Sequence, residues 1–207
     1  MVRTVALVAS VSVVALVGGL WYVSQPKEGA DPFAQCRTAA IAGGTDTIGG
    51  PFTLVNSDGE TVTDKDVITE PSILYFGYTF CPDVCPLDFA RNSQAVEVLA
   101  EQGISATPVF ISFDPERDTP EVVGDFAFNN HEKAIGLTGS EEQVKAASKA
   151  YRTYYKAQDK EDDYYLIDHS TFSYLVLPEQ GFVEYFRRDA TPEQVAETTA
   201  CFVNAAG

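Results

Sequence analysis

Basic charge is scarce in this chain: 14 Lys and Arg stand against 30 Asp and Glu, for a formal net charge of −16 and a sequence pI near 4.3. Nucleic acid is excluded as a partner, because a phosphate-binding face needs cations that this balance does not supply. The acidic excess is otherwise a solvated surface. Histidine is scarcer still, with only His131 and His169 to serve as imidazole ligands. Charge of either sign is missing from Thr4 to Gln25, a run of Val, Ala, Leu and Gly with Trp21 and Tyr22 at its far end. About twenty such residues span a bilayer and place the aromatic pair at interface depth. Arg is nearly absent there, which argues against a transit peptide. Arg3 and the free amine orient the N-terminus to the cytoplasm and everything after Lys27 to the other side. The alternative is a cleaved signal peptide, but its apolar region would be unusually long and no convincing small-x-small site precedes Trp21.

What is present is enough for one ordinary core: 207 residues, 45% hydrophobic and 12% aromatic. The expected division is a transmembrane anchor at 1–25, a Gly-, Ala- and Pro-rich tether at 26–50, and one globular domain at 51–207. Apolar and polar residues alternate on both sides of Asn56-Ser57-Asp58-Gly59, which predicts a β-hairpin covering an edge of the sheet. Ile73 to Phe76 and Thr107 to Phe113 are buried strands joined through a helix over 86–101, so the pair is parallel. A polar loop, Asp114-Pro115-Glu116-Arg117-Asp118, leaves the second strand on the edge where the first strand ends. Helices are signalled at Thr119-Pro120-Glu121, at Ser140 (reaching Tyr155) and at Thr191 (ending near Ala205). A short strand at 135–137 precedes the second of these, and strands at 164–167, 172–177 and 182–186 follow it. There are no internal repeats. The order βαβα, an inserted βα, a hairpin and a closing helix is an α/β fold of thioredoxin-like type with an N-terminal hairpin extension.

Chemistry concentrates where the first buried strand ends, at Cys81-Pro82-Asp83-Val84-Cys85-Pro86. Pro86 favours the first helical position, which makes Cys85 the expected N-cap and sets both sulfurs at a helix N-terminus. Free N–H groups and the positive end of the dipole favour thiolate there, so both cysteines are expected to be reactive. The other two, Cys36 and Cys201, lie near opposite ends of the exported part. Paired, they staple the N-terminal extension to the last helix, worth up to about 5 kcal/mol for so long a loop; unpaired, each is an inert buried thiol.

Two thiols can exchange disulfides or bind a soft metal, and a third ligand decides between them. His131 falls at the amino end of the parallel strands, the wrong edge of the sheet. His169, in Asp168-His169-Ser170 just before the strand at Phe172, falls at the cysteine edge. On its own it reads equally as a turn histidine; beside two thiols it reads as a ligand. Two sulfurs and one imidazole suit Cu(I) and tolerate Cu(II), whereas zinc asks for a fourth ligand that is not in view. Asp168 can hold the imidazole ring by a hydrogen bond, or simply cap a turn. Asp83, a hard carboxylate, is loop chemistry.

The run Tyr78 to Pro86, the loop Asp114 to Pro120 and the triplet Asp168-His169-Ser170 resemble the Sco/SenC family of copper-binding accessory proteins from about Gly50 to Phe202. The resemblance implies a membrane-anchored, thioredoxin-like copper metallochaperone with Cys81, Cys85 and His169 as ligands. It implies assistance in building the CuA centre of cytochrome c oxidase, whose copper-bearing subunit is the partner, with other copper chaperones or thiol reductases beside it. The site is expected in the periplasm, on a single-pass anchor in a bacterial inner membrane. The competing reading is a thiol-disulfide oxidoreductase that reduces partner cysteines before copper enters, with Cys81 and Cys85 catalytic. Three intervening residues, where the familiar redox motif has two, weigh against it. A peroxidase lacks a partner set for peroxide, and a copper or redox sensor leaves no mark in sequence.

Overall fold

The computed structural model describes residues 31–38, 44–158 and 165–207. The expected anchor at 4–25 and most of the tether lie outside these residues; among the described residues no helix is long and apolar enough to cross a membrane. The chain divides into two units, Met1–Ala34 and Gln35–Gly207. Of the first, only 31–34 is described, a turn in which the Ala34 N–H donates to the Asp31 carbonyl.

The second unit is built on a seven-stranded sheet. Its strands are β1 (Thr53–Asn56), β2 (Thr61–Thr63), β3 (Ser72–Gly77), β4 (Thr107–Ser112), β5 (Ile135–Thr138), β8 (Ser173–Leu177) and β9 (Gly181–Phe186), in the order β2-β1-β5-β4-β3-β8-β9. β3, β4 and β5 are parallel; the hairpin β1–β2 and the pair β8–β9 add antiparallel edges. The expected hairpin extension, crossover and closing hairpin are all present. Every residue of β3 and β4 is buried, as a sheet covered on both faces requires.

Helices α1 (Asp64–Val67), α2 (Val84–Glu101), α3 (Pro120–Asn130), α4 (Glu141–Ala150) and α5 (Pro192–Ala206) complete the unit. The single turn α1, held by a capping box between Thr63 and Asp66, was not signalled by periodicity because four residues carry none. Thr119, Ser140 and Thr191 cap α3, α4 and α5 where the sequence places them. Tyr75 and Phe76 point to opposite faces of β3 and so sort the core. On the Tyr75 side, Phe110 meets Phe89 of α2 and Phe126 of α3; on the other, Phe76 meets Tyr151, at the end of α4, and Tyr174. Gly136 lets α3 press on β5: a Cβ there would lie 2.1 Å from the Val123 carbonyl oxygen.

Two departures bear on the site. The helix expected to reach Tyr155 stops at Ala150, because Arg152 turns into the left-handed region at φ 51°. The residues so released form β6 (Tyr155–Ala157), which pairs with β7 (Ile167–His169) in a separate two-stranded ribbon. The strand expected at 164–167 is therefore displaced to 167–169. At the other end, Cys36 and Cys201 are bonded across a sequence separation of 165, with Cα atoms 5.6 Å apart. This segment is fastened rather than loose: buried Glu184 accepts from the Thr38 N–H at 3.0 Å and its hydroxyl at 3.4 Å, and Arg37 donates to the Val183 carbonyl at 2.7 Å.

Candidate metal centre

β3 and β4 run in parallel register from Ser72↔Thr107 to Gly77↔Ser112, so the cysteine loop and the Asp114–Asp118 loop leave the sheet on one edge. The helix after the cysteine loop starts earlier than Pro86 signals. Val84 is its first residue and Asp83 its N-cap, with Pro86 tolerated in a first turn whose N–H groups have no helical partner. The expectation that Cys85 caps the helix is thus corrected. It is Cys81 that accepts at the helix start, its Sγ 3.4 Å from the Cys85 N–H, while Cys85 sits inside the first turn with its side chain at 0% exposure.

That difference separates the two thiols. The Cys81 pKa falls from an ordinary 9.0 to about 3, chiefly because the Cys85 thiol donates to its sulfur; burial opposes this, and His169 and the N–H groups of Asp83 and Cys85 add to it. Burial pushes the Cys85 thiol up, and the neighbouring Cys81 charge adds to it. The expectation that both cysteines are activated holds for Cys81 and is corrected for Cys85. Proximity to the helix end favours thiolate, but desolvation of a group facing the core outweighs it at Cys85.

His169 stands on β7, opposite Tyr155, and not in the turn that the alternative reading gave it. Its Nε2 lies 3.3 Å from Cys85 Sγ, and Nδ1 lies 2.7 Å from the Ser170 carbonyl oxygen. Nδ1–H donating there fixes the ring so that Nε2 is the nitrogen that faces the thiols, the atom a metal would take. The ligand atoms of Cys81, Cys85 and His169 all lie within 4.8 Å of one another, the only such group of three among the described residues. Aromatic rings wall the imidazole: Phe113 at 5.5 Å, Tyr78 at 5.9 Å and Tyr75 at 6.4 Å between centroids.

Asp168 does not hold that ring. Neighbours on a strand face opposite ways, and Asp168 is exposed, accepting from Gln158 Nε2 at 2.9 Å; the Ser170 carbonyl takes the role proposed for it. His131 ends α3, where its Nδ1 accepts from the Lys133 N–H at 3.0 Å, consistent with a structural histidine. Residues not singled out in the sequence also shape the site. Tyr75 donates from its hydroxyl to buried Asp88 at 3.2 Å, and Tyr78 accepts from the Ile167 N–H at 3.3 Å, tying the ribbon to the cysteine strand. Gly77 leaves room for the inner sulfur: a Cβ there would stand 3.0 Å from Cys85 Sγ. Strand alternation within β3 is the sequence signal that puts Tyr75 and Gly77 on one face.

Two soft sulfurs and an imidazole nitrogen, half enclosed and able to converge on one point, fit a three-coordinate soft metal. The model of the SCO1/SenC family matches residues 41–204. Protein SenC of Rhodobacter capsulatus is 50% identical over 203 residues, 98% of this chain and 91% of SenC. The crystal structure of Arabidopsis thaliana ScoI with copper bound superposes with a TM-score of 0.72 at 40% identity, over 76% of this chain and 99% of that one. BsSco, described as having a disulfide switch and as a member of the Sco family of cytochrome c oxidase assembly proteins, gives 0.59 at 25% identity, over 73% of this chain and 91% of that one.

Proposed function

That the chain belongs to the SCO1/SenC family is the premise from which we infer its work: it binds one copper ion through Cys81, Cys85 and His169 and serves cytochrome c oxidase assembly. The observation that carries this reading is the convergence of the three ligand atoms within 4.8 Å, in a fold similar to one known with copper bound. Copper is the cargo. Cys81 offers a thiolate at neutral pH, Cys85 supplies a second sulfur on losing its proton, and His169 closes the set with Nε2. Transfer to the dinuclear CuA site of the oxidase's copper-bearing subunit proceeds by ligand exchange and requires Cys81 and Cys85 reduced, since a disulfide between them has no thiolate to offer. The uncharged run at 4–25 anchors the domain to a bacterial inner membrane with the site in the periplasm. The Cys36–Cys201 bond agrees with so oxidising a compartment.

A second reading draws on the unequal thiols. In a thiol-disulfide oxidoreductase the Cys81 thiolate attacks a partner disulfide, releasing one partner thiolate and forming a mixed disulfide. Cys85 then loses its proton, attacks Cys81 Sγ and frees the partner's second thiol, leaving Cys81 and Cys85 oxidised. Replacement of His169 by Ala distinguishes the two. For copper capture, the variant loses stoichiometric copper at matched chelator concentration, and its sulfur-to-Cu(II) absorption changes. Full copper retention with an unaltered spectrum would overturn the copper reading. A reductase keeps its reduction potential and exchange rate in the same variant.

A further inference from the structure

The copper ligands come from two pieces of backbone that share no ladder: the cysteines from the end of the β3–α2 loop and the first turn of α2, and His169 from the β6–β7 ribbon. The ribbon has three residue pairs, and a two-stranded ribbon of that size is at best marginal alone. Something must hold it in place if Nε2 is to stay 3.3 Å from Cys85 Sγ.

The loop Asp114–Asp118 touches both pieces. On the cysteine side, Asp118, at 0% exposure, accepts from the Thr79 N–H at 2.9 Å and from the hydroxyls of Thr79 and Ser112. On the ribbon side, Asp114 accepts from the Tyr165 hydroxyl, and Arg117 Nη1 donates to the Tyr165 carbonyl at 3.0 Å. The Arg117 guanidinium is the part common to both. It lies 3.6 Å from the Tyr165 ring centroid, 4.8 Å from that of Phe80 and 5.8 Å from that of Tyr78, and its Nε pairs with Asp114. Phe80 adjoins Cys81; Tyr165 lies four residues before His169. A planar cation with several fixed donors can stack on aromatic rings while donating in its own plane, and an ammonium cannot.

We propose that Arg117 is a positioning residue for copper capture, clamping the ribbon that carries His169 against the loop that carries Cys81 and leads to Cys85. The inference rests on the copper reading of the site, but its geometric half is testable without metal. In the reduced, copper-free protein, Arg117→Ala loses the proton–proton contacts of the His169 ring with Phe113 and Tyr78 seen by NMR, and Arg117→Lys loses them too. In competition with a Cu(I) chelator, copper affinity falls about ten- to a hundredfold, as for other residues that orient a metal ligand. In a His169→Ala background, Arg117→Ala has no further effect, because the imidazole it places is gone. Should Arg117→Ala fail to fold, Phe80→Ala carries the test, since Phe80 is 51% exposed and removes one of the stacked rings; it weakens both contacts and affinity in the same direction. Ring contacts that persist in a folded Arg117→Ala protein, or an affinity loss equal with and without His169, overturn the clamp. If His169→Ala itself leaves copper affinity unchanged, the copper reading fails, and the metal-free contacts still decide whether Arg117 holds the ribbon.

Discussion

Breaking the Cys36–Cys201 bond should cost this domain much of its stability while leaving the metal centre intact. The bond closes a loop of sequence separation 165, for which the chain-entropy relation gives about 17 cal/mol/K, or about 5 kcal/mol at 25 °C. That figure is an upper bound where the denatured chain keeps residual structure, so about 3–5 kcal/mol is expected of the Cys36→Ser, Cys201→Ser double variant. A local effect acts with the same sign. If the freed segment peels away, Glu184 keeps the Tyr185 N–H but loses both donors of Thr38, and a buried carboxylate that loses donors destabilises the fold. For a unit of this size, about 2–4 °C per kcal/mol translates the loss into a melting temperature lower by roughly 6–20 °C. The assay is a urea titration and a thermal melt of both proteins with Cys81 and Cys85 kept reduced, alongside copper stoichiometry. A midpoint that moves by less than about 1 kcal/mol would show that loop closure is not how this bond acts. Lost copper binding in a folded double variant would show that the staple belongs to the metal site.

Two further outcomes concern the sulfurs. With its pKa near 3, Cys81 is thiolate in the folded protein from about pH 9 down through acid. Its contribution to stability is therefore complete above the ordinary thiol value and is lost as pH falls toward 3. In the reduced, copper-free protein, alkylation by iodoacetamide should label Cys81 at pH 5 and spare Cys85, as mass mapping would show; a rate that rises only above pH 8 would contradict the assigned charge. Gly77→Ala places a methyl 3.0 Å from both Cys85 Sγ and Tyr75 Cε1 and 3.1 Å from Phe110 Cε2. In so packed a strand it should destabilise by about 1–3 kcal/mol and shift the copper absorption band, and a variant with native melt and spectrum would refute the close fit.

The parts legible in sequence were those governed by local rules. Apolar runs announced β3 and β4, capping residues announced α3, α4 and α5, and the crossover placed the Cys81 and Asp114 loops on one edge. What escaped depended on tertiary contact. The β6–β7 ribbon hides because Tyr155 to Ala157 continues the polar and aromatic run that follows α4 from Tyr151, and only the left-handed Arg152 ends the helix. His169 is legible at the cysteine edge because that placement needs only the direction of the following strand, which the ribbon does not alter. A ring-holding Asp168 would need a turn in which it could reach back to its neighbour, and a strand does not allow that. Arg117 gave no signal of its own, because its partners lie 37 and 48 positions away at Phe80 and Tyr165.

The spacing of the cysteines explains why the two sulfurs are chemically unlike. Three intervening residues let Cys81 stand ahead of α2 and Cys85 fall at its second position. One sulfur then receives the N–H groups that the helix start leaves over, and the other is carried into the core beside Tyr75 and Gly77. The charge on Cys81, buried but met by donors, is stabilised before any partner arrives, whereas Cys85 keeps its proton because no ion in so dry a place is tolerated alone. A metal that brings its own positive charge removes that objection, and Nε2 of His169 stands 3.3 Å away to complete the set. The same asymmetry suits Cys81 to open an exchange and Cys85 to finish it, so the donor that separates cargo binding from thiol exchange is the imidazole. Its position is set by a ribbon outside the main sheet, and the affinity of the site therefore depends on contacts that neither cysteine makes.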